Sequence, residues 1–273
     1  MERRQSIGRE ASARYRTIFL SDIHLATRAC MSDELLSFLR AHEAETFFLV
    51  GDVIDFWRVR RRPAWPRSQT EVVRELLRKA QRGARVVYIP GNHDDELRAF
   101  VGTHLGPIEL RLQAVHETAD GRRFLVIHGD EFDAVIRKAV WLAVLGDIVY
   151  EIALRANTML SIVRRGLGLS YWSLSAYLKY RVKRAVNYIG KFENRLASAA
   201  RDAGACGVIC GHIHHAAVRK VDGIEYVNTG DWVESGTAIV EHFDGRLEIV
   251  RWADRWRASA QPSEKAPPVP VAS

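Results

Sequence analysis

Cysteine is scarce in this 273-residue chain, which carries only Cys30, Cys206 and Cys210. An odd, scattered set of three makes no disulfide framework. Cys206 and Cys210 bracket the apolar run Cys206-Gly-Val-Ile-Cys210, which reads as a buried strand where a reduced thiol behaves as a small hydrophobe. With no second cysteine pair beside them, a cysteine-bound zinc is not expected. The opening stretch MERRQSIGREASARYR lacks the apolar core of an export signal, and Glu2 and Glu10 disfavour an organelle presequence. Both features favour a reducing, cytoplasmic setting. No apolar run is long and uninterrupted enough to span a bilayer. The most apolar stretch, Ala139 to Val163, is broken by Asp147, Glu151 and Arg155 at four-residue spacing, the pattern of an amphipathic helix.

Charge is present with one sign in excess, formally +7. From Glu131 to Ala200 eleven Lys/Arg face five Asp/Glu, so this stretch alone carries +6. Such a concentration points to an anionic partner: a phosphorylated ligand, a membrane surface or nucleic acid.

Short β-branched and aromatic runs recur at Thr17–Ser21, Thr46–Gly51, Arg85–Pro90, Phe124–His128, Gly207–Gly211, Ile224–Thr229, Thr237–His242 and Arg246–Trp252. Helical patterns at Asp33–His42 and Gln69–Arg82 separate the early ones, so an α/β layering around a largely parallel sheet is expected. The last three runs follow at hairpin spacing, with Phe243-Asp-Gly245 as a turn. Between Glu131 and Ala200 the pattern is helical only, with Tyr171, Leu174, Leu178, Val182, Val186, Ile189, Phe192 and Leu196 at steps of three and four. The expected organisation is a disordered arm over 1–16, a core over 17–130 and 201–256, a helical cap insertion over 131–200, and a disordered tail over 257–273 that holds four of the eight prolines.

Five successive strand candidates end in polar clusters: Asp22-Ile-His24, Gly51-Asp52, Gly91-Asn92-His93-Asp94, His128-Gly129-Asp130 and Gly211-His212-Ile-His214. In open α/β sheets the carboxyl ends of the strands converge on one crevice, so these clusters can meet. Carboxylate and amide oxygens mixed with imidazole nitrogens suit Mn²⁺, Fe²⁺ or Zn²⁺ rather than Ca²⁺. Seven such donors exceed one ion's needs and suit two that share a carboxylate. Two cations about 3.5–4 Å apart clamp the attacking and leaving oxygens of an in-line displacement at phosphorus.

The ordered series D-x-H, G-D-x-x-D, G-N-H-D, H-G-D and G-H-x-H, running from Asp22 to His214, resembles the calcineurin-like metallophosphoesterase superfamily. That resemblance implies two packed mixed β-sheets flanked by helices. It also implies that Asp22, His24 and His214 bind one divalent ion, Mn²⁺ before Fe²⁺ or Zn²⁺, and that Asn92, His128 and His212 bind another, with Asp52 bridging. His93 would contact the scissile phosphate and protonate the leaving group, and Asp55 would orient His93. Because every ligand position is filled, a non-catalytic scaffold is disfavoured.

Within that superfamily the chain is similar to the bacterial UDP-2,3-diacylglucosamine diphosphatase group of the lipid A pathway. The likeness lies in the helical insertion after His128-Gly-Asp130, the stretch Ser173-Leu-Ser175-Ala-Tyr-Leu-Lys179 followed by Lys183, and Tyr226-Val-Asn-Thr-Gly-Asp231-Trp232-Val-Glu-Ser-Gly236. It implies a nucleotide-activated glycolipid substrate, approached from the cytoplasmic face of the inner membrane as a peripheral protein. Asn92, His93, Ser175, Lys179, Lys183 and His212 would contact it. The lipid A enzymes carry Arg where this chain has His93. Nucleic acid is not the expected partner, since the basic stretch is also aliphatic and aromatic. The loop from Arg58 to Trp65 is a candidate for holding a nucleotide or diphosphate through arginine forks and tryptophan stacking.

Overall fold

The computed structural model describes residues 13–61, 65–133 and 189–260. Twelve strands are present among them. The first sheet has seven strands in the order β12 (Leu247–Arg251), β11, β1, β2, β3, β5, β4, and the second has five in the order β6-β7-β8-β10-β9. In the first, β1 (Ala13–Leu20), β2 (His42–Val50) and β3 (Arg85–Ile89) run parallel. In the second, β7 (Arg123–Val126), β8 (Gly207–Cys210) and β10 (Ile224–Asn228) run parallel. Both sheets also hold antiparallel pairs, β1 with β11 (Thr237–Glu241) and β6 (Ala114–Glu117) with β7 among them.

Strand alternation explains the continuous apolar runs. In β1 and β2, Ile18, Leu20, Phe47 and Leu49 face the helix layer with Leu35, Phe38, Leu39, Val72 and Leu76. Their neighbours Phe19, Phe48 and Val50 face the other way and meet Phe124, Val126, Ile209 and Val227 of the second sheet. A strand covered on both faces is apolar throughout. The helix layer is α1 (Ser32–Ala41) and α3 (Arg67–Gln81), α3 burying Val72, Leu76 and Lys79 at steps of three and four. The second sheet's outer face is covered by the helix at 189–202 through Phe192, Leu196, Ala197 and Ala200, against Leu125, Ile127, Val208 and Tyr226. Each fully buried large aliphatic or aromatic side chain contributes about 1.5–3 kcal/mol.

All eight expected strands are present, and several boundaries move. Residues 13–16 belong to β1 rather than to a disordered arm, because Ala13, Arg14 and Tyr15 pair in register with His42, Glu43 and Ala44 of β2. Residues 257–260 continue the terminal helix Trp252–Ala260 instead of opening a tail. The helix at 189–202 is part of the core layer, so the core begins before residue 201. β10 and β11 do not form a hairpin: β10 lies beside β8 in one sheet and β11 beside β1 in the other, joined across the sandwich by Thr229 to Gly236. Four further short strands carry no strand signal in the sequence: β4 (His104–Leu105), β6 and β9 (Ala217–Val221) have exposed residues that break the apolar run, and β5 (Ile108–Leu110) is only three residues long. Residues 134–188, the bulk of the expected cap, lie outside the described residues, and with them Ser175, Lys179 and Lys183. No helix among the described residues is long and apolar enough to cross a membrane.

Candidate metal centre

The loops leaving β1, β2, β3, β7 and β8 meet in one place. Ligand atoms lie within 4.8 Å of one another in three groups: Asp22, His24 and His214; Asp52, His128 and His212; and His24, Asp52 and His93. Asp52 Oδ2 stands between His24 Nε2 at 3.8 Å and His128 Nε2 at 3.5 Å, where a carboxylate shared by two ions would stand. Asp22 Oδ1 faces His214 Nε2 at 3.2 Å. Asp55 Oδ2 lies 3.1 Å from His93 Nδ1 and 3.5 Å from His24 Nδ1. His93 thus sits beside the expected ligands, with Asp55 against its Nδ1.

The backbone at this site is unusual. Asp22, His24, Asp52, His212 and His214 all have φ between 50° and 72°, a region that non-glycine residues seldom occupy. Such strain persists only where surrounding contacts over-determine it, and it gathers at functional sites. The contacts are visible here. Trp232 N donates to Asp22 O, and His24 N to Asp52 O, crossing from loop to loop. Gln69 of α3 receives Ala26 N–H and donates to Thr27 O, each at 2.7 Å, pinning the loop just beyond His24. Gly91 must be glycine for a steric reason: a Cβ there would fall 2.3 Å from Asp52 Oδ1 and 2.6 Å from His128 Nε2.

Protein contacts leave the inward-facing atoms unsatisfied. Asp22 Oδ1, His24 Nε2, Asn92 Oδ1 and His128 Nε2 are buried with no hydrogen bond. Each buried polar atom left so costs about 1–3 kcal/mol. The opposite atoms are engaged: His128 Nδ1 donates to Val50 O at 2.8 Å, and Asp22 Oδ2 accepts Ser21 Oγ at 2.5 Å and His212 N at 2.9 Å. The Val50 bond turns the Nε2 lone pair of His128 toward Asp52, as outer partners of metal-binding histidines do. This mixture of oxygen and imidazole donors fits hard-to-borderline divalent cations.

The electrostatics agree. Burial pushes Asp52 up and Asp22 repels its charge, yet His128 and His24 together hold the carboxylate down at about 2. Burial would push His128 and His214 down, yet Asp52 draws the first up to about 10 and Asp22 the second to about 9. Asp55, despite burial, is held below the ordinary carboxylate range by His24, His93 and the Arg58 amide. The pocket demands positive charge, and a metal that supplies it displaces those imidazole protons.

Three supporting residues carried no role in the sequence. Asp94, fully buried, accepts the amides of Gly91 (2.5 Å), Val53 (2.8 Å) and Asp52 (3.3 Å) and the Tyr88 hydroxyl (2.5 Å). It ties the Asp52 loop to the Asn92 loop. Its motif position marked it, but nothing in an apolar strand marks Tyr88. Trp57 lays its ring 4.1 Å, centroid to centroid, from that of His93.

A family description, Calcineurin-like phosphoesterase, matches residues 15–216, most of the chain. The chain belongs to the calcineurin-like phosphoesterase family. This phosphoesterase is a metal-dependent hydrolase of phosphoric ester bonds, in a family that works with divalent metals. A UDP-2,3-diacylglucosamine hydrolase of Blochmanniella pennsylvanica is 26% identical over 208 residues, 75% of this chain and 81% of that protein. Its namesake in Porphyromonas gingivalis is 27% identical over 125 residues, 43% of this chain and 47% of that protein, so the match spans about half of that relative's length. Among solved structures, one described as a novel archaeal phosphodiesterase covers 86% of this chain and 98% of its own, at TM-score 0.42 and 12% identity.

Proposed function

We propose that this phosphoesterase hydrolyses the diphosphate of a nucleotide-activated glycolipid such as UDP-2,3-diacylglucosamine, releasing UMP and a lipid sugar 1-phosphate. The observation that carries the reading is the likeness to hydrolases of that name, one across 75% of the chain, joined to a pocket in which Asp22 Oδ1, His24 Nε2, Asn92 Oδ1 and His128 Nε2 are buried without a hydrogen bond. The ligand assignment is Asp22, His24 and His214 for one ion and Asn92, His128 and His212 for the other, with Asp52 between them. Mn²⁺ is the proposed metal, with Fe²⁺ and Zn²⁺ as the competitors to be measured.

When bound, such a pair of ions supplies Lewis acidity toward the phosphate oxygens and acidifies the attacking water. The chain's own residues do the rest. Asp55 holds His93 through Nδ1 and raises its basicity, leaving Nε2 to give a proton to the departing oxygen. Asp94 and Tyr88 hold the Asp52 and Asn92 loops in register. Ser175, Lys179 and Lys183 are proposed contacts for the lipid head group. Peripheral attachment to the cytoplasmic face of the inner membrane belongs to the same reading.

The test is release of UMP from UDP-2,3-diacylglucosamine by metal-stripped and Mn²⁺-loaded protein, with bis-p-nitrophenyl phosphate in parallel. Metal-dependent UMP release is expected. Cleavage of the generic diester without UMP release would retain the phosphoesterase and remove this substrate. Turnover independent of added and bound metal would remove the metal assignment.

A further inference from the structure

The helix α2 (Phe56–Arg61) has no fully buried residue: Phe56 and Val59 are half-buried, and Trp57, Arg58, Arg60 and Arg61 are exposed. It is held at the metal pocket by Phe56 N–H donating to His93 O at 3.0 Å, and by Trp57 against the His93 ring at 4.1 Å. Trp57 is 39% exposed. Its indole is tilted by 36° to the His93 ring, and the rest of its surface faces solvent beside the pocket. The helix carries no acidic residue in its first turn and three arginines, Arg58, Arg60 and Arg61. Arg60 pairs with Glu96. Arg58 and Arg61 are exposed and make no side-chain ion pair or hydrogen bond among the described residues. Arg61 lies four residues beyond Trp57, hence on the same helical face one turn along.

We propose that Trp57 and Arg61 form a subsite for a nucleoside phosphate at the mouth of the metal pocket, the base stacking on the indole and the guanidinium taking phosphate. The inference rests on the diphosphatase reading and deepens it by assigning the nucleotide end of the substrate to α2. Stacking suits the geometry, because a planar base can cover the indole while its phosphate reaches the atoms around His93. A base on an aromatic platform is bound about tenfold more tightly than the same phosphate without its base. Arginine adds a charge-assisted contact to phosphate that does not depend on the base.

The experiment measures dissociation constants of UMP, ribose 5-phosphate and inorganic phosphate by calorimetry on the full-length Mn²⁺-loaded protein. Wild type should bind UMP about tenfold more tightly than ribose 5-phosphate. Trp57→Leu, which keeps bulk and removes the π face, should bring that ratio near one, and Trp57→Phe should restore most of it. Arg61→Ala should weaken UMP and ribose 5-phosphate alike and leave the ratio intact. Because Trp57 and Arg61 are exposed, thermal unfolding of these variants should stay close to wild type. A ratio near one in wild type, or a tenfold ratio surviving in Trp57→Leu, overturns the subsite. Failure to release UMP from the glycolipid overturns the diphosphatase reading, and the UMP ratio is read separately from it.

Discussion

Among the described residues, two buried histidine–carboxylate clusters invite comparison: one closes its own hydrogen bonds and the other leaves several ligand atoms without one. At the seam between the sheets, Glu241 receives His116 Nε2 at 2.7 Å, Arg16 at 2.6 Å and the Ala119 amide at 2.8 Å. His116 is wedged edge-on against Phe19 and Phe48. These residues sit on strands β1, β6 and β11 or just beyond, and Arg16, Thr17, His116 and Glu241 keep ordinary backbone angles. At the metal pocket Asp22 and His24 sit on strand-end loops with left-handed backbone, and Asp22 Oδ1, His24 Nε2, Asn92 Oδ1 and His128 Nε2 are buried with no hydrogen bond. The difference teaches how to tell a structural polar cluster from a working one. A cluster that serves the fold closes its own hydrogen bonds, whereas one that serves chemistry leaves lone pairs aimed at something it must bind.

The sharpest way to break this comparison is to remove one carboxylate from each cluster. Asp52→Asn should lower turnover of bis-p-nitrophenyl phosphate by on the order of a thousandfold, several kcal/mol of lost transition-state stabilisation, and reduce bound metal. Glu241→Ala should do the reverse, costing about 3 kcal/mol in urea unfolding by stranding His116 and Arg16, with metal content near wild type. If Glu241→Ala lost metal while Asp52→Asn unfolded, the division of labour would be wrong.

Acid sharpens the same contrast. Burial would raise Glu241, but His116, Thr17, the Ala119 amide and Arg16 hold it down at about 2, against an ordinary 4.5. A carboxylate with a lowered folded pKa contributes stability that is complete above the unfolded value and is lost as pH falls through the folded one. Stability from the seam should therefore be whole above about pH 4.5 and disappear toward pH 2. Glu241→Gln should flatten that part of the stability–pH curve in the metal-stripped protein. The smallest effect is expected at Tyr88→Phe, which takes one donor from Asp94. About 1 kcal/mol of stability and up to about tenfold in metal affinity should be lost, measured by denaturation and chelator competition. An unchanged metal affinity would confine Tyr88 to a role in folding.

Much of the site was legible before any coordinates, because its chemistry is written in local motifs. Asp22-Ile-His24, Gly51-Asp52, Asn92-His93, His128 and His212-Ile-His214 each follow a strand signal, and Asp55 stands against His93 Nδ1. The helix layer was legible from the period of Leu35, Phe38, Leu39 and of Val72, Leu76, Lys79. What escaped was non-local. Tyr88 looks like any apolar strand residue until Asp94 is seen beneath its hydroxyl. β10 and β11 read as neighbours because their spacing suits a hairpin, but spacing says nothing of which sheet a strand joins. Arg58 to Arg61, the second half of α2, read as the start of a loop, since a six-residue helix with no fully buried residue has no apolar period to detect.

The order of residues along the chain determined which strands would form, that their ends would carry metal-seeking donors, and which family the chain belongs to, because those properties depend on neighbours two to four positions apart. Only the tertiary structure decided that Asp52 stands between His24 and His128, that Trp57 leans on His93, and that the Glu241 cluster closes while the pocket stays open to a ligand. Those outcomes depend on sheet pairing and loop crossing over tens to hundreds of residues, where no local periodicity reaches.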